Sequence, residues 1–179
     1  MLLCIDTGNT QTVIGLFDGP RLADHWRIAT NAERTADELA LMIQQFLGFH
    51  GFAPLKVRAA GAGPEGAPAQ APTLADSPET QLDGVAISSG VPRVTVELRE
   101  MTERYFGFEA LVLEPGVRTG MPILYDNPKE VGADRLANAV AAYDQYGGPS
   151  IVVDFGTANT IEAISEKGER IGITLRRER

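Results

Sequence analysis

Residues 2–19 read LLCIDTGNTQTVIGLFDG, which is an apolar run, a small polar turn and a second apolar run. Apolar runs of this length are typical of buried strands, and the short turn between them predicts an antiparallel hairpin. Residues 150–165, SIVVDFGTANTIEAIS, repeat the same order of segments. Both turns read D-x-G-x-x-x-T, starting at Asp6 in the first copy and at Asp154 in the second. The chain therefore contains one structural unit twice, which predicts an internal repeat.

The segments around the two hairpins extend this repeat. A third strand is predicted after each hairpin, at residues 21–28 and 169–175. The elements predicted between the two units are a helix at residues 35–49, with Thr35 as N-cap and Glu38 completing a capping box, a strand at 84–88, a helix at 94–107, a strand at 109–114 and a helix at 132–147. An α/β protein is the fold class that follows.

Bulk composition limits the classes of function. The chain has 179 residues, of which 44% are hydrophobic, enough for one core or two small lobes. Its formal net charge of -8 makes nucleic acid and anionic membranes poor partners. No basic segment precedes a long apolar stretch near the N-terminus, so we expect a cytoplasmic protein. Residues 53–83 are rich in Ala, Pro and Gly, which predicts a flexible insertion.

The repeated turn has the chemistry of a phosphate-binding loop. Glycine lets the backbone approach a ligand closely because it has no Cβ. The hydroxyls of Thr10, Thr12 and Thr157, together with turn amides, can donate hydrogen bonds to phosphate oxygens. A carboxylate repels phosphate, so Asp6 and Asp154 make sense through a cation or a bound water. Two facing hairpins are therefore predicted to hold the phosphates of a nucleotide between them.

A second candidate site is YDNPKEVGADR, residues 125–135, at the start of the last long predicted helix. Asp134 can accept a proton from a substrate hydroxyl, as in kinases that position an alcohol for attack on the γ-phosphate. Arg135 can bind a carboxylate or a phosphate through its planar guanidinium. The sequence leaves a simpler alternative open, in which Asp134 caps the helix and Arg135 forms a surface ion pair.

These residues closely resemble the type III pantothenate kinases of bacteria, members of the superfamily of acetate kinase, sugar kinases, Hsp70 and actin. The motifs that match are DTGNTQT, GADR and DFGTANT, and SSGVP, GVRTGMPILYDNPKEVGADR and AAYDQYGGPSIVVDFGTA match in order and spacing, over most of residues 1–170. The resemblance implies a ribonuclease H-like (actin-like ATPase) fold with duplicated lobes. The first lobe is expected at residues 1–130, with the insertion inside it, and the second at residues 131–179, where it is incomplete.

The same resemblance implies a transferase: ATP-dependent phosphorylation of pantothenate to 4'-phosphopantothenate, the first step of coenzyme A biosynthesis. The implied catalytic residue is Asp134, which accepts the proton. The implied ATP-binding residues are Asp6, Thr7, Gly8, Asn9, Thr10, Gln11, Thr12, Val13 and Thr157. The implied pantothenate-binding residues are Tyr125, Gly132, Ala133, Asp134 and Arg135. Asp154 is implied to bind a monovalent cation, potassium or ammonium, Mg²⁺ to accompany ATP, and the enzyme to be a homodimer.

The resemblance ends near the C-terminus. In the family, the strand around Gly168–Ile173 leads into further helices and strands, whereas this chain continues as IGITLRRER and stops. We therefore expect a truncated second lobe with an open apolar face, reduced or absent activity, and self-association through that face. Two alternatives remain open: a non-catalytic regulatory or binding protein on the same fold, and a kinase or actin-like ATPase with another acceptor.

Overall fold

A computed structural model describes residues 1–52, 82–114, 117–124, 131–155 and 159–176, without the side chains of residues 172–176. Nearly all of the predicted insertion, residues 53–81, lies outside this part of the chain, so its flexibility stays a prediction. The described residues form two β-sheets and three α-helices. No helix in these ranges is both long enough and apolar enough to span a bilayer.

The first sheet contains the first hairpin. Its strands are β1 (Leu2–Thr7), β2 (Gln11–Asp18), β3 (Arg21–Ala29), β4 (Gly84–Ser89) and β5 (Leu111–Val112), in the order β3-β2-β1-β4-β5. β1, β2 and β3 are antiparallel neighbours, which confirms the predicted hairpin and third strand. β4 runs parallel to β1, and β5 runs parallel to β4. This is the strand arrangement of a ribonuclease H-like lobe, although β5 is shorter than the strand predicted at 109–114.

Two helices build the main core against this sheet. They are α1 (Ala36–Gly48) and α2 (Pro92–Met101), and a π-helical turn (Thr102–Phe106) continues α2. Leu3, Ile5 and Thr7 alternate along β1 and are buried, and the first two belong to one core with residues of both helices. The predicted capping box is confirmed, because the Thr35 side chain accepts from the Glu38 N–H and the Glu38 carboxylate accepts from the Thr35 N–H.

The second sheet repeats the first hairpin unit. Its strands are β6 (Ser150–Phe155), β7 (Asn159–Ile164) and β8 (Arg170–Arg176), in that order and all antiparallel. The arrangement matches that of β1, β2 and β3, so the predicted repeat is confirmed. Ile123 forms a bridge with Arg170, and the Leu124 N–H donates to the Arg170 carbonyl at 3.0 Å. The segment that leads toward the second candidate site is thereby attached to the second sheet.

Helix α3 (Ala133–Tyr146) packs against both sheets. It contacts β4 of the first sheet and both β6 and β7 of the second. Its bounds confirm the helix predicted at residues 132–147. Because one helix packs on both sheets, these contacts do not assign it to either lobe, and the predicted boundary after residue 130 stays a prediction.

The face of the second sheet toward α3 combines polar side chains with the apolar Val152 and Ile164, and exposed apolar side chains lie on the other face. Glu162 and Asp154 accept hydrogen bonds from side chains of α3. Side chains alternate along a strand, so the residues between them lie on the opposite face. The exposed apolar residues on that opposite face are Ile151, Val153, Phe155 and Ile161, which we call the open apolar face. The described part of the second sheet thus exposes an apolar face, as expected, while its assignment to a separate lobe stays a prediction.

Candidate active site

Three aspartates from three separate elements lie close together. Asp6 is near the end of β1, Asp134 stands in the first turn of α3, and Asp154 is near the end of β6. Burial raises the pKa of Asp6, and the negative charges of Asp134 and Asp154 raise that pKa further. Repulsion between partly exposed charges is screened beyond about 10 Å, so both carboxylates must lie near that of Asp6. The ends of β1 and β6 therefore both lie near the N-terminal part of α3.

The carboxyl group of Asp6 has one polar neighbour on the adjacent strand. Asp6 and Ser88 are register partners in the parallel pair of β1 and β4. The Ser88 hydroxyl opposes the rise in the pKa of Asp6. Its buried Oγ nevertheless makes no hydrogen bond of ordinary geometry to any residue that the structure describes. A carboxylate with so little donor support and two negative neighbours is suited to receive a cation.

The carboxylate of Asp134 depends on a glycine at the start of α3. Gly132 is the N-cap residue, so the alternative in which Asp134 caps the helix is wrong. A β-carbon on residue 132 would lie 2.5 Å from Asp134 Oδ1, which is closer than the two atoms tolerate. Asp134 is itself exposed to solvent. Its carboxylate is therefore accessible, and the helix dipole stabilises its negative charge.

Arg135 points into the protein interior. Its Nε donates to Glu162 Oε1 at 2.8 Å. Glu162 also accepts from Arg170, whose Nε lies 2.8 Å from Oε2 and whose Nη2 lies 3.3 Å from Oε1. All three side chains are buried, so the alternative of a surface ion pair for Arg135 is wrong. Sequence reasoning missed Glu162 and Arg170, although a single charge inside the apolar strand NTIEAI is a signal that a buried partner is needed.

Asn138 is a third residue that sequence reasoning missed. Its Nδ2 donates to Asp154 Oδ2 at 3.2 Å, which links α3 to β6. Asn138 follows Asp134 by four positions, and residues four apart lie on the same face of a helix. That spacing is the signal that could have identified Asn138. Together the two residues present a carboxylate and an amide from α3 toward the ends of β1 and β6.

Thr30, which directly follows β3, holds the first polar turn in place. Its hydroxyl donates to the Gly8 carbonyl at 2.8 Å and lies 2.9 Å from Thr12 Oγ1. Its N–H donates to the Thr10 carbonyl at 2.9 Å, and within the turn the Gly8 N–H donates to the Gln11 carbonyl at 3.0 Å. No local pattern predicts Thr30, because 22 positions separate it from Gly8.

The side chains of the predicted ATP-binding segment divide into exposed and buried ones. The exposed residues are Asp6, Gly8, Asn9, Thr10 and Gln11, although the carboxyl group of Asp6 is itself partly shielded from water. Thr7 and Thr12 are buried, and Val13 is partly buried. The hydroxyl of Thr12, which was expected to face phosphate, is engaged with that of Thr30. The tip of the turn is therefore the part that a ligand can reach from solvent.

Two of the predicted site residues lie outside the described ranges. They are Tyr125 for pantothenate and Thr157 for ATP. Ala133 is described and is the first residue of α3. Within the described ranges, no three or more His, Cys, Asp or Glu side chains are arranged to hold a metal ion by themselves. The role of Asp154 as a cation ligand stays a prediction.

Comparison with known proteins gives matches over nearly the whole chain. The family model described as Type III pantothenate kinase matches residues 2–174. A type III pantothenate kinase of Streptomyces avermitilis is 53% identical over 173 residues, covering 96% of this chain and 57% of the relative. One of Myxococcus xanthus is 46% identical over 172 residues, again covering 96% of this chain and 57% of the relative. The chain thus spans little more than half the length of these curated relatives.

Solved structures give weaker matches. A Sinorhizobium meliloti protein assigned as a 2-dehydro-3-deoxygalactonokinase has a TM-score of 0.49 and 11% identity, with 98% of this chain and 53% of that chain covered. An Aquifex aeolicus member of the Ppx/GppA family has a TM-score of 0.44 and 15% identity, with 98% and 50% covered.

Proposed function

The chain belongs to the type III pantothenate kinase family, and we propose that it forms the site where ATP phosphorylates pantothenate. The observation that carries this proposal is the meeting of Asp6, Asp134 and Asp154 near the start of α3. The chain spans 57% of the length of the first relatives, and we propose that this chain is itself active.

Asp134 is the proposed general base. The oxygen of the pantothenate hydroxyl forms a bond to the γ-phosphorus, the bond from that phosphorus to the bridging oxygen of ADP breaks, and the hydroxyl proton passes to Asp134. Its exposed carboxylate at a helix start, with no Cβ on residue 132 in the way, supports this role. A positioned base contributes about 10²–10⁴-fold to such a step. The remaining acceleration comes from holding the two reactants in line.

The first polar turn is the proposed support for the ATP phosphates. Its tip, Gly8–Gln11, is exposed, and Thr30 fixes its backbone. A backbone that is already ordered loses little entropy when its N–H groups bind phosphate oxygens. Thr157, on the corresponding turn of the second hairpin, is proposed to contact the same nucleotide.

Cations fit the charge distribution at this site. Burial raises the pKa of Asp6, and two neighbouring negative charges raise that pKa further, so a cation near them would relieve this repulsion. Mg²⁺ accompanying ATP takes most of its ligands from phosphate and water, so it does not require a complete carboxylate cage. We assign the monovalent cation, potassium or ammonium, to Asp154. Asn138 donates a hydrogen bond to the Oδ2 atom of this carboxylate.

Pantothenate is proposed to bind along Gly132–Arg135 together with Tyr125. Arg135 is the one cation of this group, so it is the partner for the pantothenate carboxylate. We also propose a homodimer and a cytoplasmic location, as the resemblance to the family implies.

The test is transfer of labelled γ-phosphate from ATP to pantothenate, with Mg²⁺ and with potassium or sodium. The matched pair of variants is Asp134→Asn and Asp144→Asn, since both residues are exposed and lie on α3. We expect turnover that requires pantothenate, is faster with potassium, and falls by about 10²-fold or more in Asp134→Asn, as expected for loss of a general base. Asp144→Asn should behave as the native chain does.

The second candidate function is binding without catalysis. The chain covers 57% of the length of the first relative, and binding and transfer assays decide between the two functions. Folded protein that binds ATP and pantothenate in calorimetry yet transfers no phosphate would support this candidate over the kinase. ATP hydrolysis that ignores pantothenate would instead point to another acceptor.

A further inference from the structure

Arg135, Glu162 and Arg170 form a buried cluster with an uneven number of charges. Arg135 is 8% exposed, and Glu162 and Arg170 are each 1% exposed. Arginine stays protonated in proteins, so two positive charges share one carboxylate. A buried charge is costly unless it is paired. Among the residues that the structure describes, the cluster therefore has one positive charge more than it has negative charges.

The hydrogen bonds show which atom lacks a partner. Glu162 uses both carboxylate oxygens, accepting at Oε1 from Arg135 Nε and at Oε2 from Arg170 Nε. Arg170 gives a second bond from its Nη2 to Oε1. Arg135 Nη2 is buried and has no hydrogen-bond partner among the residues that the structure describes. The donor available for a further anion therefore belongs to Arg135.

The cluster also joins two parts of the chain that meet at the candidate site. Arg135 lies beside Asp134 in the first turn of α3, whereas Glu162 and Arg170 lie on neighbouring strands of the second sheet. The backbone of Arg170 accepts from the Leu124 N–H and donates to the Pro122 carbonyl, both at 3.0 Å. Arg170 thus binds Glu162 through its side chain, and it binds Pro122 and Leu124 through its backbone.

We propose that Glu162 and Arg170 are positioning residues for Arg135. Glu162 holds the guanidinium of Arg135 at Nε and Arg170 holds Glu162, so that Arg135 Nη2 is left as the donor for a substrate carboxylate. Because the bond at Nε fixes the guanidinium plane, the energy of binding need not be spent on ordering a long side chain. This inference rests on the proposed function only in taking pantothenate as the molecule that brings the carboxylate.

The test follows the Nε–H signals of arginines in ¹⁵N-arginine-labelled protein of full length. The Arg135 signal is identified by its loss in Arg135→Lys. Three probes are titrated: acetate, which is a bare carboxylate, pantothenate, and panthenol, in which an alcohol replaces the carboxylate. We expect acetate and pantothenate to shift the Arg135 signal, and panthenol to leave it in place.

The variants separate positioning from simple support of the fold. In Glu162→Gln and in Arg170→Lys the midpoint for pantothenate should rise by about tenfold, as expected for loss of a charge-assisted hydrogen bond, while the midpoint for ATP stays the same. Glu166→Gln is the matched control, since Glu166 is exposed in the turn after β7. Arg170→Lys keeps the positive charge, so it provides the same comparison of pantothenate and ATP binding if Glu162→Gln does not fold.

Each outcome has one meaning. A shift with acetate but none with pantothenate keeps the carboxylate site and overturns pantothenate as its ligand. No shift of Arg135 with either carboxylate overturns the inference, whatever the kinase assay gives. Equal loss of ATP and pantothenate affinity in both variants also overturns it, because a merely structural role predicts that result.

Discussion

The carboxylate of Asp134 occupies the space that any side chain on residue 132 would need. A β-carbon there would lie 2.5 Å from Asp134 Oδ1 and 3.7 Å from the Cδ of Arg135. The backbone of Gly132, with φ of -61° and ψ of 148°, is one that any residue can adopt. The glycine is therefore required by the position of the carboxylate and not by the path of the chain.

Gly132→Ala should therefore reduce catalysis while preserving the fold. The added methyl group displaces the Asp134 carboxylate, so phosphoryl transfer should fall by at least about tenfold, part of the 10²–10⁴-fold that a positioned base supplies. Loss of glycine at an N-cap and stiffening of the unfolded chain act in opposite directions, so the free energy of unfolding should change by less than about 1 kcal/mol. The measurements are γ-phosphate transfer and thermal unfolding.

Gly48→Ala is the control for that variant, because a β-carbon on residue 48 meets nothing within 4 Å. It should change neither transfer nor binding. Full activity in Gly132→Ala would show that the position of the Asp134 carboxylate is not needed for the reaction.

Asp6→Asn should stabilise the fold near neutral pH. The pKa of Asp6 is raised in the folded chain, so its ionised form costs folding free energy above the folded pKa. This cost shrinks as the pH falls through the folded pKa and is absent below the unfolded value of about 3.9. The carboxyl group is partly exposed, and solvent screening keeps the gain below about 1 kcal/mol, which corresponds to a rise in Tm of less than about 2–4 °C.

Thermal unfolding of Asp6→Asn and native protein from pH 7 down to pH 4 measures this effect. Asp144→Asn, on the exposed side of α3, should show no comparable gain. A Tm difference for Asp6→Asn that grows as the pH falls would mean that the ionised carboxylate of Asp6 does not destabilise the fold.

Thr30→Val should loosen the first polar turn. It removes the hydroxyl that donates to Gly8 and meets Thr12, but keeps nearly the same volume. Two hydrogen bonds at about 0.5–1.5 kcal/mol each give a loss of about 1–3 kcal/mol in the free energy of unfolding. Calorimetry should show weaker binding of ATP and unchanged binding of pantothenate. Thr30→Ser keeps the hydroxyl and should retain ATP affinity, so equal weakening in both variants would argue against a role for the hydrogen bonds.

The open apolar face predicts self-association. Phe155 is 80% exposed and Ile151 is 71% exposed, and each such side chain gains about 1.5–3 kcal/mol on full burial. Val153 and Ile161 are register partners on this face, so Val153→Glu with Ile161→Lys replaces an apolar pair by a cross-strand ion pair. Light scattering should show dimers or larger species for the native chain and a lower mass for the double variant.

Leu41→Lys is the control for this prediction, since Leu41 is also apolar and exposed but lies on α1. It should leave the mass unchanged. A native chain that stays monomeric at every concentration tested would refute association through the open apolar face.

Local sequence patterns were sufficient for the elements and their repetition. Alternating and continuous apolar runs predicted both hairpins, and the Thr35 capping box predicted the start of α1, because each depends on neighbours within a few residues. The repeated turn singled out Asp6 and Asp154, and the stretch at residues 125–135 singled out Asp134; the roles of all three stay predictions. Neither patterns nor motifs predicted Thr30, Asn138 or the partners of Arg135.

The difference has a physical cause. Strand, turn and helix formation follow from backbone geometry and from the period of apolar side chains, which are written in consecutive residues. Two features depend instead on how α3 packs against both sheets. They are the proximity of the three aspartates and the burial of Arg135 against Glu162. That packing brings together residues that are far apart in the chain. Strand register decides which face of the sheet a side chain occupies, and therefore which partner a polar side chain meets.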